Sequence, residues 1–424
     1  MLSSTTIHST GRFAVYSTKM LTLHLPCVAA LSLTSGKPGG VAVGVFTSDV
    51  CVSHDTGWFC PESPKRLEKL LADLRNEWQA EFFDSLQIFQ PEVDVTLEQL
   101  KRVHSDEHLR TLESAFDRAG GFLTPTVNLD GDTVVSPGTR AACWRAAGLT
   151  VSAVDEVLSS TSSIRRAFVM VRPPGHHAEP TGAMGFCLLN HAMIGVAHAQ
   201  AVHGLGKVAV LDFDVHMGNG CAAACWSDPT RLYASSHQAG IFPVGFSRYA
   251  PDGSGRAGEY STILSCALPS GSGSAEFRSA WESQLLPAVR EFAPECIFLN
   301  AGFDAHAQED VASLALEDDD YYWITGVLFR SRGTGQLFPH PRLVDARWSL
   351  GHDSQESFFD FLCSCSSSPY SNLDLTIFSC SPSAPLEQVA SLGLPIISVL
   401  EGGYKLDVLS RGVRSHVEAL VRAQ

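Results

Sequence analysis

The sequence predicts an α/β domain built on one parallel sheet of about eight strands, with helices on both faces. Three observations predict it. From residue 41 onward, short β-rich apolar runs alternate with longer helical patterns, the rhythm of a parallel sheet covered by crossover helices. The apolar runs are nearly continuous rather than alternating, as strands buried on both faces require. Four of the runs end in polar residues of complementary chemistry, and beyond the carboxyl ends of the strands is where open α/β sheets bind ligands.

In chain order, strands are expected at 41–46, 167–171, 207–213, 231–235, 297–300 and 395–400, and helical patterns at 63–74, 139–158, 189–202 and 275–292. A chain of 424 residues that is 45% hydrophobic can bury the core such elements need. Two stretches fall outside the pattern. The first forty residues hold twelve Ser/Thr, the basic Arg12, Lys19 and Lys37, and no acid before Asp49. That is the make-up of an organelle transit peptide and predicts a plastid or mitochondrion. A disordered tail on a cytoplasmic or nuclear protein is the alternative. Residues 331–386 are rich in Ser, Pro, Cys and aromatics with no lasting period, and read as an insertion into the 41–424 domain or as sequence retained from an intron.

Charge and composition exclude several functions. Lys+Arg at 30 against Asp+Glu at 45 leaves a net charge of −15, the wrong sign for direct nucleic acid binding through phosphates. No apolar run reaches the 18 or so residues of a membrane span. The twelve cysteines are scattered without a C-x-x-C pair, so they read as buried reduced thiols rather than a zinc ribbon or a disulfide framework.

The four strand-end clusters are F-V-M-V-R-P-P-G-H-H, closing on His176 and His177; V-A-V-L-D-F-D-V-H, closing on Asp212, Asp214 and His216; I-F-L-N-A-G-F-D, closing on Asp304; and I-I-S-V-L-E-G-G-Y, closing on Tyr404. Asp214 and His216 are two residues apart and point to one side of an extended segment. Asp304 completes a set of two carboxylates and one imidazole, which neutralises a divalent cation and favours zinc or iron over magnesium or calcium. Three protein ligands leave a coordination position open for chemistry. A histidine beside such a centre can take a proton from attacking water and return it to a leaving amine. Asp212 and Asn219 are available to orient the histidine pair, and Tyr404 can hydrogen-bond a developing oxyanion.

These residues, with H-D-T-G and P-E-S-P-K-R-L near the start, S-P-G-T at 136–139, G-F-C-L-L-N-H, D-F-D-V-H-x-G-N-G, S-S-H-Q-A-G-I-F-P, N-A-G-F-D-A-H and L-E-G-G-Y, resemble the histone deacetylase and acetylpolyamine amidohydrolase family, and more closely its class II-like branch. The resemblance implies an arginase/deacetylase-like fold and one Zn2+ held by Asp214, His216 and Asp304. It implies catalysis by His176 paired with Asp212, by His177 paired with Asn219 as general base and acid, and by Tyr404 on the scissile carbonyl. Gly185, Phe186 and Phe242 would line a narrow channel for an acylated lysine stem, and Val311 stands where polyamine-selective relatives carry an acid. A structural K+ on the backbone of Asp212, Asp214 and His216 with Ser235 is a further implication. The expected substrate is an acetylated protein lysine, with a small acetylated amine or polyamine as the alternative. A catalytically impaired acyl-lysine or partner-binding protein is the reading of another class. Met217, Cys60 and Asp310 depart from the family pattern at positions that are not ligands.

Overall fold

The computed structural model of the chain describes residues 43–82, 85–122, 125–244, 254–328 and 394–422. The expectations for residues 1–40 and 331–386 lie outside the described residues.

One nine-stranded sheet carries the fold. Its strands are β1 (Val43–Phe46), β2 (Leu86–Phe89), β5 (Arg166–Val169), β6 (Val208–Asp212), β7 (Arg231–Gln238), β8 (Ser254–Ala257), β9 (Ile263–Leu268), β10 (Cys296–Ala301) and β11 (Ile396–Leu400). A two-stranded ribbon, β3 (Val127–Asn128) with β4 (Val134–Val135), stands apart. The order across the large sheet is β2-β1-β5-β11-β10-β6-β7-β9-β8. Every pairing in it is parallel except β8 with β9. The expected parallel sheet is therefore present, and an antiparallel strand is added at one edge.

The four strands whose ends carry chemistry, β5, β11, β10 and β6, are adjacent at the centre of the sheet. All their residues are buried, which is why their sequences are mostly apolar, with Arg166, Asp212, Asn300 and Ser398 as the polar exceptions. Register sets their ends level: Asn300 faces Asp212 across β10 and β6, and Asp212 faces Ser235 across β6 and β7. Covering helices include Pro64–Asp73, Thr139–Leu158, His191–His203 and Leu406–Arg422. The helical pattern expected as one stretch at 275–292 is interrupted by a π-helical segment, Trp281–Leu285. No helix among the described residues is long and apolar enough to cross a membrane.

Candidate active site

β6 ends at Asp212, and from Asp214 to His216 the chain bends instead of staying extended as expected, which brings Asp214 and His216 beside Asp304, just past β10. One ligand atom from each of the three lies within 4.8 Å of the others. His216 Nδ1 is 3.1 Å from Asp214 Oδ1 and 3.2 Å from Asp304 Oδ2. The carboxylates are held by main-chain donors: Val215 N–H donates to Asp304 Oδ1 and Gly402 N–H to Asp214 Oδ2, each at 2.9 Å. A Cβ on Gly302 would overlap Asp214 Oδ2, and one on Gly402 would overlap Asp304 Oδ2, so only glycine lets β10 and β11 close on this cluster.

Electrostatics in the cluster are those of a site short of positive charge. Burial and then the Asp214 carboxylate push Asp304 up to about 6. Burial acts against protonation of His216, but its contacts with Asp214 and Asp304 prevail and raise it to about 10. Asp304 Oδ2 has no hydrogen-bond donor despite the nearby imidazole. Two buried carboxylates, one imidazole and an oxygen left without a donor fit a divalent cation.

Above the cluster, the turn after β5 presents the histidine pair, with ring centroids 3.9 Å apart. Glu401 pins this turn, its Oε2 accepting from Gly175 N at 2.7 Å and His176 N at 3.0 Å. His176 Nδ1 lies 3.1 Å from Asp212 Oδ2, which also accepts from Tyr233 Oη and Asn300 Nδ2, each at 2.9 Å. Burial opposes its protonation, but Asp214 and Asp212 outweigh that and raise His176 to about 10. His177 differs: burial, then the neighbouring His176 and His216, hold it well below the ordinary imidazole range. Its Nδ1 is 2.9 Å from Asn219 Oδ1, at the start of the helix Asn219–Cys225.

Aromatic side chains flank His177 and Tyr404. Phe242 stands edge-on to His177 with centroids 4.9 Å apart, and Phe186 stands edge-on to Tyr404 at 6.0 Å. Gly185 has φ of 56°, and a Cβ there would sit 2.7 Å from the His177 ring and 2.8 Å from Phe242. Its backbone conformation and the lack of a side chain let the chain just before Phe186 pass against His177 and Phe242. Tyr404 follows β11, which is in register with both β5 and β10. Glu309 Oε1 accepts from Tyr404 N at 2.8 Å, and Arg66 lies over the Tyr404 ring at 5.0 Å. Val311 is 36% exposed and sits two residues beyond Glu309. Ser235 is buried on β7 beside Asp212.

Sequence reasoning assigned no role to the supporting polar residues. Tyr233, Asn300 and Glu401 are buried, as is the Glu62 carboxylate, which Arg172 grips at 2.8 and 2.9 Å and Arg66 reaches at 3.1 Å. Burial opposes its ionisation, yet Arg172, His54 and Arg66 bring Glu62 down to about 2. Arg66 also donates from Nε to Gly403 O at 2.5 Å, so one ionic cluster joins the histidine turn to the Tyr404 loop. Glu401 carried the same signal that exposed Tyr404, a polar residue directly after an apolar run.

A parallel α/β scaffold whose neighbouring strand ends supply a three-ligand set and two imidazoles defines a protein with a candidate catalytic metal centre. The chain belongs to the histone deacetylase family, since the family model described as histone deacetylase domain matches residues 60–336. That span includes the histidine pair and the three candidate ligands and ends before Tyr404. Histone deacetylase 10, chloroplastic, of Oryza sativa subsp. japonica is 35% identical over 275 residues, covering 62% of this chain and 60% of that protein. Histone deacetylase 14, chloroplastic, of Arabidopsis thaliana is 36% identical over 230 residues, covering 54% of each. The matched region thus spans less than two thirds of either relative. In fold, the chain is similar to the crystal structure of the HDA15 HD domain, with a TM-score of 0.66 and 22% identity over 90% of this chain and 89% of that one.

Proposed function

We propose that this protein hydrolyses N-acyl amides in a zinc-dependent reaction, with acetyl-lysine of a protein as the leading substrate. The observation that carries the reading is the meeting of Asp214, His216 and Asp304 with the His176–His177 turn at the ends of β6, β10 and β5, three of the four adjacent central strands. Asp214, His216 and Asp304 would hold the zinc, which would supply Lewis-acid polarisation of a carbonyl.

The rest of the chemistry belongs to the chain. His177, kept neutral by burial and by its imidazole neighbours, takes the proton of the attacking water and returns it to the leaving amine. His176, held as a cation by Asp212 and Asp214, adds positive charge where the oxyanion develops. The Tyr404 hydroxyl donates to that oxyanion. Phe186 and Phe242 flank an aliphatic stem and exclude water. The backbone from Asp212 to His216, with Ser235 alongside, is the proposed seat of a structural potassium ion.

Rates on an acetyl-lysine peptide, acetylated polyamines and other N-acetylamines, with and without a chelator, test the reading. Chelator-sensitive turnover highest on the peptide is expected. A preference for the amines would move the substrate class, and bound metal with no turnover on any acyl compound would overturn the enzymatic reading. Tyr404→Phe should lower kcat by about 10²–10³, the scale of one oxyanion donor. A plastid is the proposed location, supported by the acid-free N-terminus and by relatives named chloroplastic. A fluorescent fusion of residues 1–50 that stayed diffuse in plant cells would contradict it.

A further inference from the structure

Asn219 is fully buried, and its side chain touches groups of two kinds. Its Oδ1 faces His177 Nδ1 at 2.9 Å. Its Nδ2 faces three acceptors: Glu179 Oε1 at 3.1 Å, the His177 carbonyl at 3.3 Å and Met184 Sδ at 3.1 Å. An amide can be turned over about its Cβ–Cγ axis with little change of shape, so what surrounds it decides which end is which. Turned over here, the carbonyl would meet a carboxylate, a carbonyl and a thioether, with no donor among them. The carboxylate weighs most, because hydrogen bonds to charged groups are the stronger kind.

We infer that Glu179 is a positioning residue that locks the Asn219 amide and, through it, the tautomer of His177. With Oδ1 fixed toward the ring, His177 must carry its hydrogen on Nδ1, which leaves the Nε2 lone pair free to accept a proton. The opposite tautomer has no lone pair at Nε2 and is useless as a base. Glu179 is itself placed by backbone contacts. Its N–H donates to Gly182 O at 2.9 Å, and its carbonyl lies 3.1 Å from His104 Nδ1, so a tight turn returns the carboxylate to Asn219. The inference rests on His177 acting as the base, but the lock and the base can fail separately.

The test is 15N NMR of the metal-loaded full chain labelled at histidine, with the His177 signals assigned by difference from His177→Ala. Wild type should show Nδ1 protonated and Nε2 bare. Glu179→Leu removes the acceptor while leaving the backbone turn intact. It should lower the Nδ1-protonated population at least twofold and reduce kcat by about tenfold, with KM unchanged. Glu179→Gln, whose carbonyl still accepts, should behave as wild type. A Glu179→Leu protein with His177 still wholly Nδ1-protonated would overturn the lock. A shifted tautomer with undiminished kcat would uphold the lock and refute the base role. Independently, Asn219→Asp sets two carboxylates in contact. Adding Glu179→Gln supplies an amide donor and should recover at least tenfold of the kcat lost, whereas additive losses would count against the proposal.

Discussion

Among the described residues, two trios of side chains bring three ligand-type atoms within 4.8 Å of one another: Asp214, His216 and Asp304 at the strand ends, and Asp155, His198 and His203 on two helices. By distance alone they are alike. In the second trio, His198 Nε2 and His203 Nε2 each lie 2.8 Å from Asp155 Oδ1. The difference is in hydrogen-bond accounting. Arg102 Nη1, an obligate donor, lies 3.3 Å from His198 Nδ1, so that nitrogen accepts and Nε2 carries the hydrogen it gives to Asp155. The single carboxylate of this trio, half-exposed, is thus already met by both imidazoles. The strand-end trio instead has two buried carboxylates and one oxygen without a donor. Proximity makes a candidate, and unmet charge makes a site.

The largest effect that can sharpen this contrast is loss of a strand-end ligand. Asp304→Asn should lower deacylation by more than about 10⁴-fold, beyond the 10²–10⁴ of a general base, because metal and charge balance are lost together. His177→Ala should cost about 10²–10⁴ in kcat with bound metal unchanged. Equal loss of metal in that variant would assign His177 to the ligand set instead.

The packing behind the strand-end trio should make stability respond to acid. His416 packs edge-on against Phe303, which adjoins Asp304, and burial holds its pKa down at about 3. Thr325 Oγ1 gives its hydrogen to Tyr321 O and so accepts from His416 Nδ1 at 2.6 Å, while Ser398 Oγ donates to Nε2 at 2.8 Å. The folded pKa lies below that of the unfolded chain, so between pH 6.5 and about 3 the unfolded state binds more protons, and stability falls as pH falls. Urea melts of His416→Gln should show a shallower pH dependence across that window than wild type. An unchanged slope would mean that His416 is not what titrates. The smallest effect belongs to the surface trio: Asp155→Ala, at a half-exposed position, should shift stability by no more than about 1 kcal/mol and leave turnover intact.

How far the sequence could be read follows the same division. The four central strands were legible because burial on both faces demands nearly continuous apolar runs, and the ligands were legible because they stand just after those runs. β2, with no fully buried residue, and β8, at the antiparallel edge, lack such runs and carry no comparable signal. The helix Asp106–Arg118 was missed although its apolar residues keep helical spacing, and so was Leu406–Arg422. The roles of Asn300, Tyr233 and Glu401 depend on which strands become neighbours, and the Glu179 contact depends on a turn folding back on itself. Local pattern encodes neither.

Metal content most directly tests the central claim that unmet charge, rather than proximity, selects the site. Wild type, Asp304→Asn and Asp155→Asn would be dialysed against limiting zinc and measured by atomic emission. The account predicts about one zinc per chain in wild type and Asp155→Asn and almost none in Asp304→Asn. Zinc retained by Asp304→Asn and lost from Asp155→Asn would contradict it.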